Sequence, residues 1–408
     1  MKDAFVGRQP VFDRDGNVVA YELLFRASQS ATQSGANADS DGSQLTANVL
    51  VGSLMDIGLD QISGNKLVYI NASRDFLLSD VASILPAESV AIEVLEDVVV
   101  DDEVVNACHA LKEKGFTLLL DDFIYSLQWE PLLKIADIIK IDVMVSEDLA
   151  AEVEPLRKYP AKLLAEKVET KEELELTKSL GFDYFQGYFF CRPDVVSGKK
   201  VPDSKLAILR ALQEVMVAEA IQDLEQVIVH DVGLSYRLLK YINSAAFCMR
   251  SEIKTVRQAL SLLGLKNIQL WLSVLCMASV AKDKPQELIH VAMLRGRILE
   301  ETITTLKLPG KAACFTLGLF SLLDAFLDLP MEEALGQVRL PQDVYEGLTD
   351  PCSHYGRLLD MVKSMETGNW EYVESICGEN GLNHEDLKSI QISSIKWVDE
   401  YAEWLSKV

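Results

Sequence analysis

Apolar and polar positions fall into two textures along this chain. Up to about residue 195, short apolar runs of strand length alternate with stretches of helical period. The runs are "KLVYINAS", "VAIEVLE", "FTLLLDDF", "DIIKID", "KLLAEKVE" and "DYFQGYFF". Between the second and third lies "DDEVVNACHALKEKG", where Val104, Cys108 and Leu111 share one helical face, Asp101 is placed to cap the start and Gly115 to stop the end. Strand and helix in alternation predict a parallel sheet.

The texture changes at "CRPDVVSGKKVPDSK", where Pro193, Gly198, two lysines and Pro202 make a polar, breaker-rich joint. Beyond it the chain reads as helices. "GLSYRLLKYINSAAF" places Leu234, Leu238 and Ile242 on one face, and "TVRQALSLLG" does the same with Val256, Ala259, Leu260 and Leu263 before Gly264. The pattern predicts an α/β domain over 1–198, a linker over 199–205 and an all-α domain with a helical extension over 206–408. No short-period repeat or low-complexity tract interrupts either part.

Composition narrows the function. Lys plus Arg number 39 against 62 Asp plus Glu, a net charge of −23, which excludes a general nucleic-acid binder whose affinity comes from neutralising phosphates. The longest uncharged stretch, "NIQLWLSVLCMASVA", carries Asn and Gln and is too short and too polar for a spanning helix, and no signal core opens the chain. Seven scattered cysteines, none in a Cys-x-x-Cys pair, predict neither a disulfide framework nor a thiolate zinc site. The expectation is a reduced, cytoplasmic protein with no membrane contact.

Each strand-like run carries a metal-competent or phosphate-competent side chain at or near its C-terminal end: Asn71, Glu93, Asp121 with Asp122, Lys140, Glu166 with Glu169, and Gln186. Glu22 ends the alternating stretch "NVVAYELLFR" in the same way. In a closed parallel barrel these ends converge on one face, where barrel enzymes carry their chemistry. Successive positions lie about 20 to 28 residues apart, the length of one strand plus one helix. Carboxylates and an amide, with no Cys or His, form a hard oxygen set suited to Mg²⁺ or Mn²⁺. Two such ions can hold a phosphodiester and activate water, with Lys140 supplying the one positive charge. Plainer readings stand beside this one: the aspartates or Asn71 could cap the helices that follow, and Lys140 could snorkel to solvent.

These residues resemble the EAL family, barrels that hydrolyse cyclic di-GMP to linear pGpG with Mg²⁺ or Mn²⁺. The signature stands here as "ELL" at Glu22, Leu23 and Leu24, with Arg26 at the family spacing, "QPVFD" before it with Gln9, and "YINAS", "IEVLE" and "FQGYFF" after it. The resemblance implies metal binding by Glu22, Asn71, Glu93, Asp121, Asp122 and Glu166, and catalytic work by Lys140 and Glu166. It implies substrate contacts from Gln9, Arg26 and Gln186, and support from Glu96 and Glu169. Dimerisation is a further expectation carried from the family. Three positions depart from its pattern: Ile124 and Lys167 stand where it has glycine, and Leu23 where it has alanine. The loop after Asp122 is also about two residues short, and a β-branched residue does not readily take the positive φ open to glycine.

From about residue 205 the chain resembles an HDOD domain, a helical relative of the HD phosphohydrolases, through "HDVGLSYRLLKYINSAAF" and "TVRQALSLLGLKNIQLWLSVL". His230 and Asp231 could begin a metal site, but "LGLFSLLDAF" has Ser321 and Leu322 where a second His-Asp would stand, so the pair reads as a helix-start cap. Trp370, Trp397 and Trp404 read as core or docking surface. The helical half thereby reads as a regulatory module or one that binds a protein partner. Two functions follow: a cyclic di-GMP phosphodiesterase under helical control, or a catalytically silent EAL-like domain acting as a cyclic di-GMP binding or protein-interaction scaffold.

Overall fold

The computed structural model of the protein describes residues 4–27, 59–64, 66–146, 148–193, 201–243 and 252–406. The chain divides into two contact units, Met1–Arg192 with Lys363–Ile392, and Pro193–Val362 with Ser393–Val408. Lys199 and Lys200 of the expected linker, and the Ser244 end of "NSAAF", lie outside the described residues, while the last three linker residues, from Asp203, already belong to the helix Asp203–Val217.

Eight strands close the barrel of the first unit: β1 (Ala4–Phe12), β2 (Val18–Ala27), β3 (Leu67–Ala72), β4 (Val90–Val94), β5 (Thr117–Leu120), β6 (Ile138–Asp142), β7 (Lys162–Glu166) and β8 (Tyr184–Gln186). From β2 to β8 each strand pairs in parallel with the next. The six runs read as parallel strands are β3 to β8 and pair so, whereas β1, not among them, runs antiparallel to both β2 and β8. The cause is the short "DRDGN" turn, where Asp13 Oδ1 accepts from the amides of Asp15 and Asn17, both at 2.9 Å. A connection so short permits only an antiparallel hairpin. The start of β1 consequently lies at the end of β2, with Ala4 opposite Ala27.

Alternation along the strands sorts side chains into two sets. Val11, Ala20, Tyr69, Ala91, Leu119, Ile138 and Leu164 point inward and form a closed apolar layer. Their neighbours Val68, Ile70, Ile92, Leu118, Leu120, Ile139 and Ala165 point outward into a larger core with the covering helices. One of these is Asp102–Glu113, which buries Val104, Cys108 and Leu111. Asp101 caps it, accepting from the Val104 amide at 3.0 Å, as its spacing predicts.

Lys363–Ile392 belongs to the barrel unit, although its helical period groups it with the helical half in sequence. Met365 and Trp370 are buried there, and a Cβ built on Gly7 would stand 2.6 Å from the Met365 carbonyl oxygen and 3.4 Å from the Trp370 ring. Periodicity reports only that such a segment is helical, and the surface it packs against is set by contacts far away in sequence.

The helical unit opens with Asp203–Val217, Ile221–His230 and Val232–Ile242. Asp231 caps the third of these, accepting from the Leu234 amide at 3.0 Å. Gly264, at φ 74° and ψ 164°, ends one helix and starts the next at a kink within Val256–Val280. That element is long and apolar enough to cross a membrane by length and composition, yet it buries Trp271, Leu272, Val274 and Met277 within the unit. Trp397 packs edge-on against Phe315, with ring centroids 5.8 Å apart, and the side chain of Trp404 lies outside the described residues.

Candidate active site

Two residues along each strand from the apolar layer, the barrel interior turns polar. Ala20 gives way to Glu22, Tyr69 to Asn71, Ala91 to Glu93, Leu119 to Asp121, Ile138 to Lys140 and Leu164 to Glu166. Gln186 follows Tyr184 on β8, and Gln9 precedes Val11 on the antiparallel β1. A period of two thus sets one chemical layer directly above one apolar layer. That layer gathers the strand-end residues named from the sequence.

At its centre is Lys140, of which 1% is exposed. Its ammonium lies 2.8 Å from Glu166 Oε1, 2.9 Å from Asp121 Oδ1 and 3.2 Å from Glu22 Oε2, and it also pairs with Glu93 Oε1. Lys140 therefore points inward and does not snorkel. Four carboxylates around one ammonium leave a formal charge of −3, a costly arrangement in a buried site unless further cations join it. Burial, outweighing the pull of Lys140, drives Glu93 well above the usual carboxylate range and pushes Glu166 up to about 8. Asp121 goes the other way, because the Lys140 charge and its hydrogen bonds overcome the effect of burial. The four acids, burial notwithstanding, hold Lys140 firmly protonated.

The paired aspartates meet through a backbone turn. β5 ends at Leu120, and Asp122 adopts φ 36° in the left-handed region. This lets Asp121, Asp122 and Glu166 bring carboxylate oxygens within 4.8 Å of one another. Glu22, Glu93 and Glu166 form a second such triad, so Glu166 belongs to both. Five buried oxygens at the site lack a hydrogen-bond partner among the described residues: Asn71 Oδ1, Glu93 Oε2, Asp122 Oδ1, Glu166 Oε2 and Gln186 Oε1. All are acceptors, and a cluster of orphaned hard acceptors with surplus negative charge fits divalent cations.

The capping alternatives fall away. Ser73, not Asn71, caps Arg74–Leu78, accepting from the Phe76 amide at 3.4 Å. The next helical turn after the aspartates starts at Ser126 with no side-chain cap.

Gln186 Nε2 donates to Glu22 Oε2 at 2.8 Å and to Gln9 Oε1 at 3.0 Å, tying both amides to the acid layer. Arg26 sits on β2 opposite Phe5, and its side chain lies outside the described residues. Glu169 stands at the rim, paired with Arg192 at 2.5 Å. Glu96 is exposed on the turn after β4 and is outside the cluster.

The loop departures resolve differently from one another. Ile124 is 76% exposed and is not among the described residues with positive φ, so the β-branched residue meets no glycine-only conformation. Asp122 takes that conformation instead, while Phe123 holds the loop by donating its amide to the Lys140 carbonyl at 3.0 Å. Lys167 does occupy a left-handed position, at φ 54°. Its ammonium pairs with Asp142 and lies 3.9 Å from Asp122 Oδ2. Sequence reasoning passed over Asp142, although it ends β6 opposite Glu166 and obeys the same strand-end rule.

An acid-lined barrel whose first strand is reversed, followed by a helical half, defines a two-domain architecture. The EAL domain family matches residues 6–193 and the HDOD domain family residues 200–323, and the chain belongs to the family of proteins that join these two domains. It is 31% identical over 405 residues to the cyclic di-GMP phosphodiesterase CdgJ of Vibrio cholerae, covering 97% of this chain and 93% of that protein. It is 30% identical over 408 residues to the uncharacterized protein YuxH of Bacillus subtilis, covering 96% and 97%. Among solved structures, a calcium and cyclic di-GMP complex of Klebsiella pneumoniae BlrP1 is 24% identical, covers 47% of this chain and 56% of that one, and gives a TM-score of 0.38.

Proposed function

We propose that this chain is a metal-dependent phosphodiesterase that opens cyclic di-GMP to linear pGpG, with its HDOD domain as the regulatory module. The observation that carries the reading is the layer of Glu22, Glu93, Asp121 and Glu166 around Lys140, with orphaned acceptor oxygens facing one interior. Glu22, Asn71, Glu93, Asp121, Asp122 and Glu166 would hold Mg²⁺ or Mn²⁺. Those ions supply, when bound, the positive charge that activates a water molecule and offsets charge building on the phosphodiester.

The remaining work belongs to this chain's side chains. Lys140 keeps the acids together and offers a fixed cation beside the reacting phosphate. Glu166 is the base: it takes one proton from the attacking water as the water oxygen bonds to phosphorus and the P–O bond to the ribose breaks, and the leaving oxygen takes up a proton from solvent to end as a hydroxyl while Glu166 returns its own to solvent. Gln9, Arg26 and Gln186 orient the dinucleotide, and Glu169 and Glu96 support the surrounding loops.

A homodimer is part of the reading, supported by Ile124, Leu127, Met144 and Val145, exposed apolar side chains on the loops after β5 and β6. A protein partner for the helical domain is supported by Val232 and Tyr236, exposed one turn apart on one helix. The cytoplasm is the compartment that fits the free thiols of the described cysteines.

The test is incubation of the purified protein with cyclic di-GMP and Mg²⁺ or Mn²⁺, with Glu22→Ala and Asp121→Asn beside it. Linear product from the parent and none from either variant is expected. Turnover unaffected by both changes would discard the site. Lys167 favours the silent scaffold, since its ammonium lies 3.9 Å from Asp122 Oδ2, an oxygen of one candidate metal triad; no product with either metal, with binding retained in Ca²⁺, would establish that alternative.

A further inference from the structure

The end of the helix His354–Glu366 and the turn after it lie on the inward side of the barrel mouth. Gly7 and Leu24 face each other across β1 and β2, one layer above the Gln9 and Glu22 pair. Against them stand the Met365 carbonyl and the Trp370 ring, over Gly7, and Gly368, whose built Cβ would lie 3.3 Å from Leu24 Cδ1. The turn has a defined shape: Gly368 takes φ 72°, and the amides of Asn369 and Trp370 donate to the carbonyls of Ser364 and Gly368, each at 2.9 Å. It also bonds the site directly. Gln9 Nε2 donates to the Glu366 carbonyl at 2.9 Å, which extends the chain of hydrogen bonds from Lys140 through Glu22, Gln186 and Gln9 to this turn.

We infer that residues 364–370 form an autoinhibitory latch that competes with the dinucleotide for the barrel mouth. This rests on the proposed function. A cyclic dinucleotide whose phosphodiester reaches the acid layer must fill the space immediately above it, and beside β1 and β2 that space holds the latch. Gln9 can contact such a ligand only by giving up its bond to Glu366 or by turning its second N–H outward. The close approach depends on Gly7, since any side chain there would meet the Met365 carbonyl.

The experiment uses the full chain with cyclic di-GMP in Ca²⁺, so that binding is read without turnover. Hydrogen exchange at the amides of Asn369 and Trp370 is expected to speed up when ligand is added to the parent protein. Gly7→Ala, which wedges the latch from the strand side, and Gly368→Ala, which strains its left-handed turn, are each expected to tighten the dissociation constant. A latch closed about nine-tenths of the time predicts a gain of about tenfold. Binding with equal affinity in all three proteins and unchanged exchange would overturn the latch and leave the function standing. Binding by neither the parent nor either variant would overturn the function and the latch with it.

Discussion

Lys140 Nζ lies 2.8 Å from Glu166 Oε1, and Glu166 is the acid common to both candidate metal triads. The cation that holds the acid cluster together therefore touches the residue that both candidate triads share. Lysine and a metal ion held at these triads would neutralise the same carboxylates.

That sharing predicts how Lys140→Met behaves. Removing one partner of a buried ion pair costs about 3–5 kcal/mol, and here four acids lose their common partner. A cation that binds only the folded state returns about 2.7 kcal/mol at a hundredfold excess over its dissociation constant. Thermal melts in EDTA and in Mn²⁺ should show a low melting temperature in EDTA and a larger Mn²⁺ gain for the variant than for the parent. Equal gains would show that lysine and metal do not serve the same charge.

The triads make a second prediction by subtraction. Glu22→Gln touches only the triad with Glu93, and Asp122→Asn only the triad with Asp121, whereas Glu166→Gln touches both. Titration calorimetry with Mn²⁺ should find one strong site lost in each of the first two variants and both weakened in the third. The loss per ligand should reach about 100-fold, at least the effect of removing a supporting partner. Two sites surviving in Glu166→Gln would show that the acid bridges nothing.

How far the chain could be read in advance follows from which interactions are local. The acid layer was legible because a strand's period of two and the barrel's convergence together fix where Asn71, Glu93, Lys140 and Gln186 must point. Asp121 and Asp122 were legible as a pair, but their common reach depended on a left-handed Asp122 that no pattern announces. The return of Met365 and Trp370 to Gly7 was not legible, because helical periodicity marks a buried face without naming its partner. Asp142 was within reach of the same rule as Glu166 and was overlooked beside the more prominent Lys140.

Ile124 carries a third prediction. It is exposed, outside the left-handed region, and preceded by Phe123, which anchors the loop in the core. Ile124→Gly should leave kcat within about twofold of the parent and lower stability by about 0.4–1 kcal/mol through added freedom of the unfolded chain. A tenfold rise in kcat would show that the β-branched side chain, despite its exposure, restrains the catalytic loop.

Lys167 is the departure that the structure makes consequential. Its left-handed backbone costs a non-glycine residue about 1–2 kcal/mol, which Lys167→Gly would recover. Against that stand about 0.5–1 kcal/mol for the freedom glycine gains on unfolding and up to about 1 kcal/mol for a half-exposed ion pair with Asp142. These contributions nearly cancel, so stability is a poor readout of this residue. Electrostatics does not cancel: the ammonium 3.9 Å from Asp122 Oδ2 repels any cation entering the triad of Asp121, Asp122 and Glu166. Lys167→Gly should therefore bind Mn²⁺ more tightly at that triad alone. The gain should shrink as salt rises, because the repelling charge is solvent-exposed. Calorimetry at low and high ionic strength checks both points, and a gain shared equally with the Glu22 triad would mean that Lys167 acts on the barrel as a whole and not on Asp122.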